Sequence, residues 1–177
     1  QIGKQFDKII IMPLLGATVL GNYSLSLQIL GILTIFSTIA FKYILPHDST
    51  NISTAKIKKG IIIISIIITI LGFLLTPTII QSIFPKYIEA VDSIQILCLA
   101  VLPVGIYTIF ASKLYSSEKS IYLLYGHLIS SFVMLSGIFI LGNYFGIIGV
   151  SIAYVLSQIS NSLFLAFSIK KINTPIS

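Results

Sequence analysis

Apolar runs of membrane-crossing length, separated by short polar punctuation, dominate the chain. Between positions 61 and 75 only Ser65, Thr69 and Gly72 interrupt the run, and no charge falls within it. An α-helix needs about 20 mostly apolar residues to cross a hydrocarbon core roughly 30 Å thick. Six segments meet that need or come near it, at about 5–20, 22–45, 60–84, 93–116, 120–141 and 146–169. The expected fold is all-α: a polytopic, six-transmembrane-helix bundle in which residues 1–177 form a single lobe. The first segment is the shortest and holds Pro13 and Gly16, so it suits a truncated span or a re-entrant piece. A cleaved signal peptide fits less well, because a second apolar span follows Gly21 at once.

Composition makes the same case. The chain is 56% hydrophobic and 9% charged, against roughly 25% charged residues in a soluble domain, and its mean hydropathy is +1.04. The net charge of +6 does not point to nucleic acid, because the lysines sit between apolar runs instead of forming a basic face. With six alternating spans, Lys4, Lys8, Lys42, Lys56, Lys58, Lys59, Lys113, Lys119, Lys170 and Lys171 fall on one side and Lys86 on the other. That is the positive-inside pattern, which places both ends of the segment in the cytoplasm of a cell-membrane protein. The outer turns are then expected at Gly21-Asn22, at 86–92 and at 142–146.

Little catalytic chemistry is visible. Cys98, His47 and His127 are too few and too scattered for a zinc site, so no metal is expected. No paired carboxylates, Gly-rich phosphate loop or nucleophile triad occurs, so neither an enzyme nor a cofactor is expected. Pro13, Pro77 and Pro103 fall inside spans, where they make either static kinks or the broken helices of gates.

Polar positions within the spans fall on lines. Gly149, Ala153, Ser157 and Asn161 recur every four residues, a small-residue face suited to close helix packing. Ser151, Tyr154, Gln158 and Ser162 run beside it and either pack or line water. Ser24, Gln28, Gly31, Thr38 and Lys42 share one face of the second span; its terminal ammonium either meets an anionic head group or snorkels to the interface. Gln95, His127 and Asp7 complete the polar set. Asp7 and His127 are candidates for ion coupling, against simple interfacial roles.

Four motifs resemble a known family. Phe6-Asp7-Lys8-Ile9-Ile10 followed by Leu20-Gly21-Asn22-Tyr23-Ser24-Leu25 is similar to the "F-D-x-I-I … x-G-x-Y-S-L-A" that opens the second half of polysaccharide and O-antigen flippases. Phe84-Pro85-Lys86-Tyr87 with Ala90 and Ile96-Leu97 resembles their "F-x-x-x-Y-x-x-A … I-L" outer loop and next helix. The loop at 115–120, with its small residues and lysine, resembles theirs, and Gly146-Ile147-Ile148-Gly149-Val150-Ser151-Ile152-Ala153 is similar to "G-I-x-G-A-A-I-A". The chain departs from the pattern at Gly142-Asn143-Tyr144, where the family has a proline, and at Val150-Ser151, where it has two alanines.

This superfamily also contains lipid II flippases and multidrug exporters, built from two six-helix lobes around a central cavity. The resemblance implies one lobe of a two-lobe transporter, and a chain starting at Gln1 fits a segment lacking its N-terminal lobe. It implies movement of a lipid-linked oligosaccharide across the membrane, with membrane lipid and the other lobe as partners. Gln28, Lys42, Gln95, His127, Gln158 and Asn161 are the candidate cavity-lining groups. A cation-coupled multidrug exporter would carry acids deep in its spans, whereas Asp48, Glu89, Asp92 and Glu118 are expected in loops. A non-transporting scaffold subunit and a membrane-embedded transferase are further alternatives; the latter lacks clustered carboxylates.

Overall fold

A computed structural model of the protein describes residues 6–50 and 53–173. Among these residues there are helices and turns but no strand. Eight α-helices follow one another: α1 (Phe6–Leu15), α2 (Ala17–Leu33), α3 (Ile35–Ser49), α4 (Ala55–Ile83), α5 (Val91–Cys98), α6 (Val101–Ser116), α7 (Ile121–Gly137) and α8 (Asn143–Asn173). A 3₁₀ segment, Pro85–Ala90, leads into α5, and a π-helical segment, Ile138–Gly142, joins α7 to α8.

Three helical stretches are long and apolar enough to cross a membrane: Ala55–Ile83, Pro85–Ser116 and Ile121–Lys171. Ala17–Leu33 and Ile35–Ser49 make a fourth if taken together, bent by 42° at Thr34. Length and composition therefore give three or four candidates where the hydropathy pattern predicts six. One reason is α1, whose 10 residues are about half a membrane thickness. The other is that the last candidate is folded back on itself. A Cβ on Gly137 would lie 2.5 Å from that of Ala153, and one on Gly126 would lie 2.5 Å from Asn161 Oδ1. In a straight helix residues 16 apart are about 24 Å apart. The reversal occurs at Gly146, whose φ of 55° and ψ of −130° suit glycine.

Boundaries shift for similar local reasons. The turn expected at Gly21-Asn22 lies at Gly16 instead (φ 88°), and Gly21 and Asn22 are inside α2. The second predicted span breaks at Thr34, whose hydroxyl donates back to the Leu30 carbonyl at 2.8 Å. Beyond the break α3 continues to Ser49, so Asp48 stands in its last turn and not in a loop. Glu89 and Asp92 likewise lie in the 3₁₀ segment and in α5. The fourth predicted span tightens at Leu99 and Ala100, just before Pro103, which has no N–H to continue the helical ladder.

Side-chain contacts give the helix directions. Ser26 meets Ser93 and Asp48 meets Ser112, so α2–α3 runs parallel to α5–α6. Ser151 also meets Ser93, and Leu165 packs with Ala111 and Leu114, so α8 runs the same way. Helix α4 opposes them, with Ser65 against Gly105 and Gly72 against Cys98, and α7 opposes α8. The main core, around Tyr23, Leu30, Leu97, Val101, Ile138 and Val150, fills the space where α2, α5, the start of α6, the π-helical segment and α8 meet. One end of the bundle carries the turns near Gly16, Lys86 and Gly146. Lys42, Lys56, Lys58, Lys59, Lys113, Lys119, Lys170 and Lys171 belong to the elements that meet at the other end.

Candidate functional site

The polar line of the second span lies on α2 and α3. Gln28, Gly31, Thr38 and Lys42 are all exposed, Ser24 is half-buried, and the spacing holds them on one side of α2–α3 despite the bend. Nothing lies within 4 Å of where a Gly31 side chain would begin. Gln28 and Lys42 are 14 positions apart, about 21 Å along a helix. An amide, a hydroxyl and an ammonium thus stand along one strip beside exposed Ile32, Ile35 and Ile39.

Two polar clamps hold the opposite side of this bent helix against the bundle. In the α2 half, Ser26, Ser93 and Ser151 are fully buried and linked at 3.0 and 2.7 Å, with Ser26 also 2.8 Å from the Asn22 carbonyl and Ser151 2.9 Å from the Ile147 carbonyl. Three hydroxyl protons serve these four contacts, so only three can be hydrogen bonds at one time. In the α3 half, the Asp48 carboxylate accepts from Lys58 Nζ at 2.8 and 2.9 Å, Thr54 Oγ1 at 2.6 Å and Ser112 Oγ at 2.9 Å. Asp48 thereby joins the end of α3 to the start of α4 and the last turn and a half of α6. The Phe41 and Tyr115 rings add an edge contact between α3 and α6, their centroids 5.9 Å apart.

The other predicted residues do not converge on this strip. Gln95 donates to the Phe73 carbonyl of α4 at 2.9 Å. His127 is exposed on α7, with its Nε2 3.1 Å from the Tyr107 hydroxyl. Gln158 is half-buried on α8, while Asn161 is buried against Gly126 with its Oδ1 unpaired. Gly149 abuts the Leu141 carbonyl and the Gly142 backbone, Ala153 faces Gly137, and Ser157 is buried. The side chain of Asp7 lies outside the described residues.

Sequence reasoning did not single out Asp48, Thr54, Lys58 and Ser112, or the pair Ser26 and Ser93. A solitary acid ten residues before a lysine, between two apolar runs, was the available signal for the first group. Among the described residues no three His, Cys, Asp or Glu side chains come close enough to hold a metal ion. A depression of about 410 Å³ at the turn-bearing end is lined by Thr18, Gly21, Asn22, Lys86, Tyr87, Ile88 and Glu89.

The fold and this face define a class: a helical bundle with apolar helices compatible with a multi-pass membrane protein, carrying a polar strip on one bent helix. Comparison of the chain with protein-family profiles, curated proteins and solved structures returns no match.

Proposed function

We propose that the chain is one lobe of an alternating-access transporter that moves a lipid-linked oligosaccharide across the cell membrane, with its lysine-rich end in the cytoplasm. The observation that carries the reading is the exposed strip Gln28–Gly31–Thr38–Lys42 on a helix otherwise suited to hydrocarbon. Polar groups facing lipid without partners are costly, so such a strip belongs against water or another protein surface. A sugar-phosphate head group cannot cross hydrocarbon unaided, because desolvating its charge and hydroxyls costs far more than thermal energy. A strip offering an amide, a hydroxyl and a cation lowers that barrier while the lipid tail stays in the bilayer. A second lobe rocking against this one across the strip supplies the alternation.

In this reading the hairpin at Gly146 counts as two crossings of about 25 residues each, and α1 as a short first crossing. With α2–α3, α4 and α5–α6 these make the six spans of a lobe. The motif resemblance to polysaccharide flippases selects the substrate class. The test is translocation of a labelled lipid-linked oligosaccharide by the full transporter in vesicles. Lys42→Ala is expected to slow flipping while insertion and expression hold, and unchanged flipping removes Lys42 from the substrate path.

A further inference from the structure

We propose that the lysine-rich end carries a docking surface for anionic glycerophospholipid, centred on Lys56 and Lys59 of α4 and Lys113 of α6. This does not depend on what the protein transports. All three lysines are exposed, and none forms an ion pair among the described residues. Their neighbour Lys58 is occupied by Asp48, which also binds Ser112, so the α4 lysines and Lys113 stand at one corner of the bundle. Asp48 and Glu118 are the acids on the elements at this end, and Asp48 is already neutralised, which leaves a strong excess of positive charge.

The α4 lysines are also badly placed for the helix that bears them. Lys56, Lys58 and Lys59 crowd the first turns of α4, whose first turn has no acidic residue, and a helix dipole disfavours cations there. External negative charge offsets that conflict.

The rest of the same face says which anion. Lys56, Lys59, Ile63, Ile67, Ile70 and Leu74 follow helical spacing on one side of α4, and all are exposed. Ile63 and Leu74 are 11 positions apart, or about 16 Å, close to the half-thickness of a hydrocarbon core. A phospholipid lying along this face places its acyl chain on the isoleucines and its phosphate at the lysines. A water-soluble polyanion would use only the lysines.

The test uses the full chain in nanodiscs of phosphatidylcholine, with and without one-third phosphatidylglycerol. Phosphatidylglycerol should raise the thermal midpoint of the wild type and remain bound through detergent exchange, as read by mass spectrometry. Lys56→Gln, Lys59→Gln and Lys113→Gln combined should lose more than half of both effects. In phosphatidylcholine alone Lys56→Gln/Lys59→Gln should be at least as stable as wild type, because it sheds the dipole conflict at the start of α4. Lys86→Gln, at the other end, should behave as wild type. The proposal is overturned if the triple variant keeps the full phosphatidylglycerol response, or if glycerol phosphate added to phosphatidylcholine discs stabilises the wild type equally. Should the triple variant fail to fold, the three single variants are read the same way, each expected to lose part of the response.

Discussion

The side-chain amide of Gln95 donates to the carbonyl of Phe73 at 2.9 Å, and Phe73 lies four residues before Pro77, the position whose helical partner the proline removes. A polar residue expected to line a cavity is instead repairing a neighbouring helix. A second contact joins the same two helices: Thr69 Oγ1 of α4 donates to the Cys98 carbonyl at the end of α5, at 3.3 Å. The Gln95 amide thus meets the carbonyl that Pro77 leaves without its helical donor, which a helix in a membrane requires because no water reaches the freed group.

In a bilayer Gln95→Leu should therefore destabilise the bundle by about 1–3 kcal/mol, the cost of leaving the Phe73 carbonyl without a donor where lipid replaces water. Adding Pro77→Ala restores the N–H that bonds Phe73, so the double variant should recover most of the loss. Steric-trap or denaturant unfolding in bicelles measures both, and a double variant no better than Gln95→Leu alone would disprove the repair.

Asp48 gathers four donor contacts from the start of α4 and from α6, and its side chain is 9% exposed against 25% for that of Lys58. Allowing for screening at the lysine, Asp48→Ala should cost about 2 kcal/mol. The double variant Asp48→Ala/Lys58→Met should cost about 1 kcal/mol less than the sum of the two singles. Additivity within error would show that the pair contributes nothing to holding α3.

The glycines divide by what surrounds them. Gly137→Ala forces its new methyl onto Ala153 and should cost about 1–3 kcal/mol by overpacking the α7–α8 hairpin. Gly31→Ala meets open space and a helical backbone, so it should be neutral or stabilise by up to about 1 kcal/mol. The same unfolding measurements check the contrast; equal costs at both sites would contradict the packing.

Helical class and the heart of α4 were legible because an uncharged isoleucine run permits little else in a membrane. The strip of Gln28, Gly31, Thr38 and Lys42 was legible too, since helical spacing alone puts these residues on one face. Breaks were harder to see. Thr34 ends α2 beside a hydroxyl back-bond that any threonine could make, and Gly16, not Gly21, takes the positive φ, though either glycine could adopt it. Gln95 and Asp48 were misplaced for another reason: their partners, Phe73, Lys58 and Ser112, are distant in sequence or are backbone groups that carry no sequence signal.

Water access to the strip tests the central claim most directly. In a Cys98→Ala background, single cysteines at positions 28, 31, 38 and 42 are treated in intact membranes with a membrane-impermeant maleimide, alongside cysteines replacing the outward-facing Ile63 and Ile67. A strip that lines an aqueous path should label from one side or the other at rates well above those of the two α4 controls. Labelling at all four strip positions as slow as at Ile63 and Ile67 would contradict the transporter reading and leave a face buried in lipid or against a scaffold partner.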